Sequence, residues 1–294
     1  MSCRIYYFTG TGNSLRAAKK IAERIGGAEL ISMRCDPKDV PAVGYDMVGF
    51  VYPVYHWTAP EPVVRFIKRL ELDTNAYMFA VACPSAVGGF ACERVAKLLE
   101  KKGARLSYGN MINCVANYAI VYPPIPPAKL MLPFMERKAD SIADDIAHRR
   151  ERAYPRAGAL VRTRSKKVME PYRALQKYSD YPFTLSDACI SCGLCSKVCP
   201  CGNIELKDGH PEFLHHCVNC MACVTSCPRR AIGYDIRSGG RELLDRSLKD
   251  TPIVRLMGLP PKRKLYRHPY ITVNELTKSR ICIGGEEDGT KAHT

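Results

Sequence analysis

Acidic residues are scarce in this chain. Its 294 residues hold 29 Asp and Glu against 44 Lys and Arg, a net charge of +15. Such a balance excludes a neutral surface. It points to an acidic partner, whether protein, anionic membrane surface or nucleic acid, or to a solvated basic face. No secretory leader is expected, because MSCRIYYFTG runs straight into a strand-like segment, and the expected compartment is the cytoplasm. Long apolar runs are missing too. The longest uncharged stretch, Leu106 to Ala128, carries three Asn and four Pro, which excludes a transmembrane helix there. Cysteine is plentiful at fifteen, but eight fall into two tight groups, a pattern that argues against a disulfide framework.

What is present begins with alternation. RIYYF, AELISM, MVGFVYPV and YMFAVAC read as strands, and ARLSYGNMINCVANY holds a fifth. Between them lie helix-like runs such as NSLRAAKKIAERIGG, with apolar Leu15, Ala18, Ile21, Ala22 and Ile25 on one face and Gly26–Gly27 as a stop. A last helix from about Leu132 to Arg150 closes the series. Strand–helix alternation of this kind predicts an α/β doubly wound parallel sheet of five strands. Residues 149–173 then hold nine Arg or Lys against two Glu and read as a linker.

The cysteine groups are CISCGLCSKVCP, with Cys189, Cys192, Cys195 and Cys199, and CVNCMACVTSCP, with Cys217, Cys220, Cys223 and Cys227. They repeat at an offset of 28 residues, and Ile204 and Ile232 match under the same offset. Zinc favours two CxxC pairs set farther apart. The run C-x2-C-x2-C-x3-C-P resembles the two-cluster bacterial ferredoxins, in which three close thiolates wrap one cubane and the fourth reaches across to the other. That resemblance spans about residues 180–236 and implies two 4Fe–4S clusters. Cluster one would take Cys189, Cys192, Cys195 and Cys227; cluster two would take Cys199, Cys217, Cys220 and Cys223. Cys201 has no counterpart in the second run, where Arg229 stands, and is read as a non-ligand. Cys3, Cys35, Cys83, Cys92, Cys114 and Cys282 are read as packing residues, and His215 and His216 as exposed loop residues that tune a cluster at most.

YFTGTGNSL, residues 7–15, follows the first strand and opens the first helix, where a phosphate site belongs. The Walker A lysine is absent, and Leu15 stands where a dinucleotide fingerprint needs its third Gly. What remains is a nest of backbone N–H groups at Gly10 and Gly12, hydroxyls at Thr9, Thr11 and Ser14, and an amide at Asn13. FTGTGNS resembles the phosphate loop of flavodoxins, which implies FMN. The resemblance places the flavin ring between the loops after the third and fourth strands. There Tyr55 or Trp57 would stack on it, and the stretch from Ser85 to Gly88 and Gly89 would approach its pyrimidine edge.

The whole chain resembles a family of anaerobe proteins that fuse a flavodoxin-like domain to a two-cluster ferredoxin domain. The expected layout is 1–150 for the flavodoxin-like FMN domain, 151–179 for the basic linker, 180–236 for the ferredoxin-type domain and 237–294 for a basic, partly disordered extension. Clusters pass single electrons and a flavin takes one or two, so the pair implies electron transfer with an acidic ferredoxin or flavodoxin, or a reductase, as partner. A reductase acting on a small molecule, with the apolar stretch at residues 119–134 over the flavin, is the competing class. Nucleic-acid binding through Arg149 to Arg173 ranks last. No transmembrane segment is expected, and the charge is compatible with peripheral membrane contact.

Overall fold

The computed structural model describes residues 2–120, 123–165, 179–234 and 264–284. Five parallel strands, β1 (Cys3–Tyr7), β2 (Ala28–Ser32), β3 (Met47–Pro53), β4 (Tyr77–Cys83) and β5 (Leu106–Met111), alternate with α1 (Asn13–Arg24), α2 (Glu61–Arg69) and α3 (Ala91–Glu100). α4 (Ala128–Ala147) follows and starts one turn earlier than its sequence suggests, directly after Pro127.

The strands read as unbroken apolar runs because both faces are covered. Side chains alternate across the sheet. Ile5, Tyr7, Val51, Phe79 and Val81 pack on the face that holds α1 and α4. Tyr6, Phe50, Tyr52, Ala80 and Ala82 pack on the face that holds α2 and α3. The buried tyrosines satisfy their hydroxyls on main chain, Tyr6 donating to Val40 O at 2.6 Å and Tyr52 to Ala91 O at 3.3 Å.

The strand order is 2-1-3-4-5, with a sixth strand outside β2. Connections leave β1 and β3 to opposite sides, so a crevice opens at their carboxyl ends, the expected ligand position in such sheets. The sixth strand comes from the far end of the chain, in residues with no strand signal. Arg280 to Ile283 pair antiparallel with Ile31 to Ala28.

Residues 151–165 are laid along the β5 edge. Arg152 N donates to Ser107 O at 2.9 Å, and the Tyr154 side chain fills the space over Gly109. Glu93 on α3 accepts from Ala157 N at 3.1 Å and takes both oxygens to the Arg162 guanidinium at 2.8 and 2.9 Å. Burial alone would raise the Glu93 carboxyl, but Arg162 and the Ala157 N–H hold it below the usual range.

The cysteine-rich part is small. β6 (Phe183–Leu185) pairs antiparallel with β9 (Ile232–Tyr234), and β7 (Ile204–Lys207) with β8 (His210–Phe213). Two one-turn helices, α5 (Leu194–Val198) and α6 (Ala222–Ser226), pack on each other. α7 (Val273–Thr277) precedes the sixth strand, β10 (Arg280–Ile283). Residues 166–178 and 235–263, including part of the basic run, and the terminal stretch from Gly285 on lie outside the described residues.

Candidate functional site

A cavity of about 410 Å³ opens at the carboxyl ends of the central strands. Thr9, Gly10, Thr11, Asn13 and Ser14 form its floor. Gly12 lies behind them at φ +101°, a left-handed turn into α1 that suits glycine. Its N–H donates to Thr9 Oγ1 at 3.1 Å, which tightens the loop. The first N–H groups of α1 have no partner inside the helix and carry the positive end of its dipole.

Ser14 is 1% exposed, and its hydroxyl oxygen has no hydrogen-bond partner among the described residues. A buried hydroxyl left unpaired costs about 1–3 kcal/mol. An anionic oxygen in the cavity removes that cost. Among the described residues no Asp, Glu, Lys or Arg lines the cavity, and its floor offers an anion the dipoles of backbone N–H groups and hydroxyls. The residues present fit a phosphate ester. Asn13 lines the cavity, and its amide also donates to Val115 O at 3.2 Å and accepts from Tyr266 OH at 3.0 Å. It braces the loop through its side chain.

Tyr55 and Trp57 both line the cavity, on the loop after β3. Tyr55 and Thr58 exchange N–H···O bonds at 3.0 Å, closing a two-residue turn with His56 at φ +48° and Trp57 at φ +59°. Non-glycine residues held there cost of order 1–3 kcal/mol each. The strain is maintained by the next loop, since Phe90 N donates to Trp57 O at 2.7 Å.

From that next loop Ser85, Ala86 and Val87 reach the cavity, whereas Gly88 and Gly89 do not line it. The two glycines make room instead. A Cβ on Gly88 would strike the Met111 side chain, and one on Gly89 the Trp57 carbonyl. In the described part of the apolar stretch at 119–134, no residue lines the cavity.

Two further walls carry no sequence motif of their own. One is Cys114 to Tyr118, after β5. The other is Val218, Asn219 and Cys220, inside the second cysteine group. Gly10 is the contact point: a Cβ there would overlap the Cys220 backbone. The loop is also backed by the far end of the chain. His268 N donates to Thr11 O at 2.8 Å, and Ile271 and His268 stand 3.0 and 3.1 Å from where a Gly12 Cβ would be. Asn117 donates to Tyr266 O at 2.9 Å. A capping box, Thr272 with Glu275, starts α7, and Lys19 ties Glu275 to α1 at 2.6 Å. His268 is fully buried, and burial pushes its pKa down to about 4, so it stands neutral.

The eight motif cysteines converge in two separate places. Cys189, Cys192, Cys195 and Cys227 line one small cavity, and Cys199, Cys217, Cys220 and Cys223 line another. The two motifs share one backbone. Ser191 and Asn219 sit at φ 55° and 53°, and Gly193 and Met221 at φ 70° and 62°, each pair 28 residues apart. Left-handed residues among these turns aim N–H groups inward, as iron–sulfur sites require. Cys199 Sγ accepts from Asn203 N at 3.3 Å and Cys227 Sγ from Ala231 N at 3.2 Å.

Burial pushes the Cys220 thiol up to about 12 and those of Cys217 and Cys223 well above their ordinary range. Only a bound cation makes such groups thiolates. Cys192 is exposed, whereas Cys199 and Cys223 are buried. Cys201, read as a bystander, lines the second cavity beside the four expected ligands. His215 and His216 are exposed. His215 is held by Asp180 at 2.9 Å and stacks on Tyr181 at 4.2 Å. Of the other six cysteines, Cys3, Cys83, Cys92 and Cys114 are buried, Cys35 is half-buried and Cys282 is exposed on β10.

Residues 188–232 match the 4Fe-4S dicluster domain family. An uncharacterized ferredoxin of Methanocaldococcus jannaschii is 33% identical over 66 residues, 21% of this chain and 37% of that protein. A ferredoxin-like protein in the nif region of Nostoc sp. is 36% identical over 53 residues, 17% and 46% of the respective chains. The chain thus spans less than half the length of the curated relatives it matches. A flavodoxin of Streptococcus pneumoniae TIGR4 superposes with a TM-score of 0.37 at 14% identity, over 50% of this chain and 99% of that one. The sheet has the 2-1-3-4-5 strand order of flavodoxin-like folds, and the cysteine-rich part carries the match to the 4Fe-4S dicluster domain family. No helix among the described residues is long and apolar enough to cross a membrane.

Proposed function

We propose that this protein carries electrons between two 4Fe–4S clusters and an FMN seated in the 410 Å³ cavity. One observation supports this above the others: Val218 to Cys220 of the second cysteine group are a wall of that cavity, packed on Gly10 of the phosphate loop. Cluster two is then the inner centre, and cluster one, with exposed Cys192, the outer one. FMN supplies the conversion between one- and two-electron steps. The chain supplies the rest. Ser14 and the N–H groups at the start of α1 take the phosphate, Trp57 and Tyr55 face the ring, and the Cys217–Cys223 loop screens the junction from water. Anaerobic reconstitution tests the reading: about eight irons and one FMN per chain are expected. Iron without flavin sinks it.

Ser14→Ala removes an orphaned hydroxyl that the phosphate would satisfy. FMN affinity should fall by about tenfold, the worth of one hydrogen bond to a charged group, while thermal stability of the flavin-free protein is unchanged or rises. Fluorescence quenching on FMN titration reads the first quantity and a melting curve the second.

The partner is an acidic one-electron carrier. The segment 180–234 holds five acidic and four basic side chains, so the positive excess lies elsewhere on the chain and would steer the encounter. With a small acidic ferredoxin as donor, the second-order rate should drop roughly tenfold or more between low and high salt. A salt-independent rate refutes this partner chemistry.

A reductase acting on a small molecule is the second reading. A cavity of about 550 Å³ shares Tyr55 and His56 with the first and is lined by Glu61, Glu93, Arg94 and Lys97, a balanced charge set that would suit a polar acceptor. Turnover of a small acceptor by reduced protein alone decides for it.

A further inference from the structure

The two halves of α4 obey different patterns. From Met135 on, Met135, Ala139, Ile142, Ala143 and Ile146 are buried, and charged or polar residues separate them, as in an ordinary one-sided helix. Before that, every residue from Ala128 to Met135 except Lys129 is apolar. Met131 and Leu132 pack inward on the core. Leu130 and Phe134, one turn apart on the other side, are 65% and 61% exposed, and Ile125, just ahead of the helix, is 45% exposed. Pro126, Pro127 and Pro133 are exposed with them. A helix that is apolar all round is ordinarily covered all round, and the outer side of this one is bare.

The charges along this side say what would cover it. Lys129 and Arg137 are exposed and Lys138 is half-buried; the Arg137 guanidinium lies over the Phe134 ring at 4.9 Å. Glu136 is the one acid between Pro123 and Ala139, and Arg16 at 2.6 Å and Lys20 at 3.2 Å already hold it. Tyr270, 57% exposed, sets a further ring 5.3 Å from that same Arg16. The other acids of α4 lie farther along, at Asp140, Asp144 and Asp145. The bare side therefore presents carbon and cations. Its prolines have no N–H to offer a protein partner, whose interface would call for a hydrogen bond about every 100–200 Å². An apolar stripe with a cationic rim matches acyl chains beneath a layer of phosphates. The stripe is too short to cross a bilayer and suits its interface.

We propose that the first half of α4, with Ile125 before it, is a docking surface for an anionic membrane. Ile125, Leu130 and Phe134 enter the boundary of the acyl chains, and Lys129, Arg137 and Lys138 meet lipid phosphates with their stems laid along the apolar stripe. The three Asp farther along α4 are repelled by the same surface, so the helix meets it by its first half. Ile125 exchanges main-chain hydrogen bonds with Ala116 at 2.8 and 3.3 Å, and Ala116 lines the flavin cavity. The docked edge thus adjoins a wall of that cavity, yet docking itself requires neither cofactor.

The test is flotation of the full chain with vesicles. Phosphatidylglycerol vesicles should carry the protein up, and phosphatidylcholine vesicles should leave it behind. Leu130→Gln with Phe134→Gln, which keeps the net charge, should lower the partition about tenfold or more. Lys129→Gln with Arg137→Gln should lower it by a similar factor of about tenfold. All four side chains are exposed, so the melting temperature and iron content should hold. Phe134→Trp keeps the bulk of the stripe, and bromine-labelled acyl chains should quench its fluorescence. An unchanged partition in the apolar pair means that overall charge alone holds the protein, and overturns the proposal. So does an absence of vesicle binding. If the apolar pair then abolishes self-association, the face belongs to a second copy; if it abolishes binding to an acidic ferredoxin, the face belongs to that carrier. The flotation runs equally in flavin-free protein, so a chain that binds no flavin defeats the functional reading without deciding this one.

Discussion

A chain ending at residue 263 should keep its iron and lose its flavin. All eight expected cluster ligands lie between Cys189 and Cys227 and survive the cut. What goes is the backing of the phosphate loop: the His268 N–H to Thr11 O, the Tyr266 hydroxyl to Asn13, and the Tyr266 carbonyl that orients Asn117. Buried Tyr266, Ile271 and Leu276 go too, leaving α1 and β2 uncovered. Three lost hydrogen bonds at about 1 kcal/mol each already amount to a loss of affinity of roughly a hundredfold. Flavin and iron analysis of the truncated protein reads both quantities. Tyr266→Phe is the milder companion, losing one bond for a drop of about fivefold. Full flavin affinity in the truncated chain would make residues 264–284 bystanders.

Gly10→Val should part the two cofactor sites without replacing any cluster ligand. Even the first added carbon overlaps the Cys220 main chain. The loop or the cysteine segment must move, at a cost of about 1–3 kcal/mol or more for a packed interior. Iron content should hold, since the cluster cysteines bind through their own turns. Flavin reduction by electrons entering through the clusters should fall at least tenfold, because a displaced Cys220 lengthens the gap. Stopped-flow absorbance follows cluster and flavin separately. Gly12→Val makes a useful contrast: it strains the same loop on its other side, against Ile271 and His268, and should weaken flavin binding without touching the junction.

The cysteine spacing was legible because ligand geometry is local: three thiols must wrap three corners of one cube within seven residues. Alternation of strand and helix was legible for a like reason, since burial on both faces imposes its own composition. Other parts of the site had no local signal. Val218 to Cys220 reach the cavity through the packing of one part of the chain on another. Tyr266 and His268 stand some 250 positions from the loop they brace, in a segment whose composition reads as basic and loose. Gly88 and Gly89 carried a true signal, and the structure gives it a packing meaning in their close approach to Met111 and Trp57. The bonds of the Asn13 amide to Val115 and Tyr266 exist only in three dimensions and had no local signal either.

Among the described residues no Asp, Glu, Lys or Arg lines the cavity. A dianion bound there answers to oriented dipoles at contact range, where mobile ions cannot intervene. The encounter with an acidic carrier depends on charges spread over the outside, which mobile ions screen within about 10 Å at moderate salt. Retention of the cofactor and recruitment of the donor are therefore under separate physical control. A change in ionic conditions would disconnect the protein from its supply without emptying it.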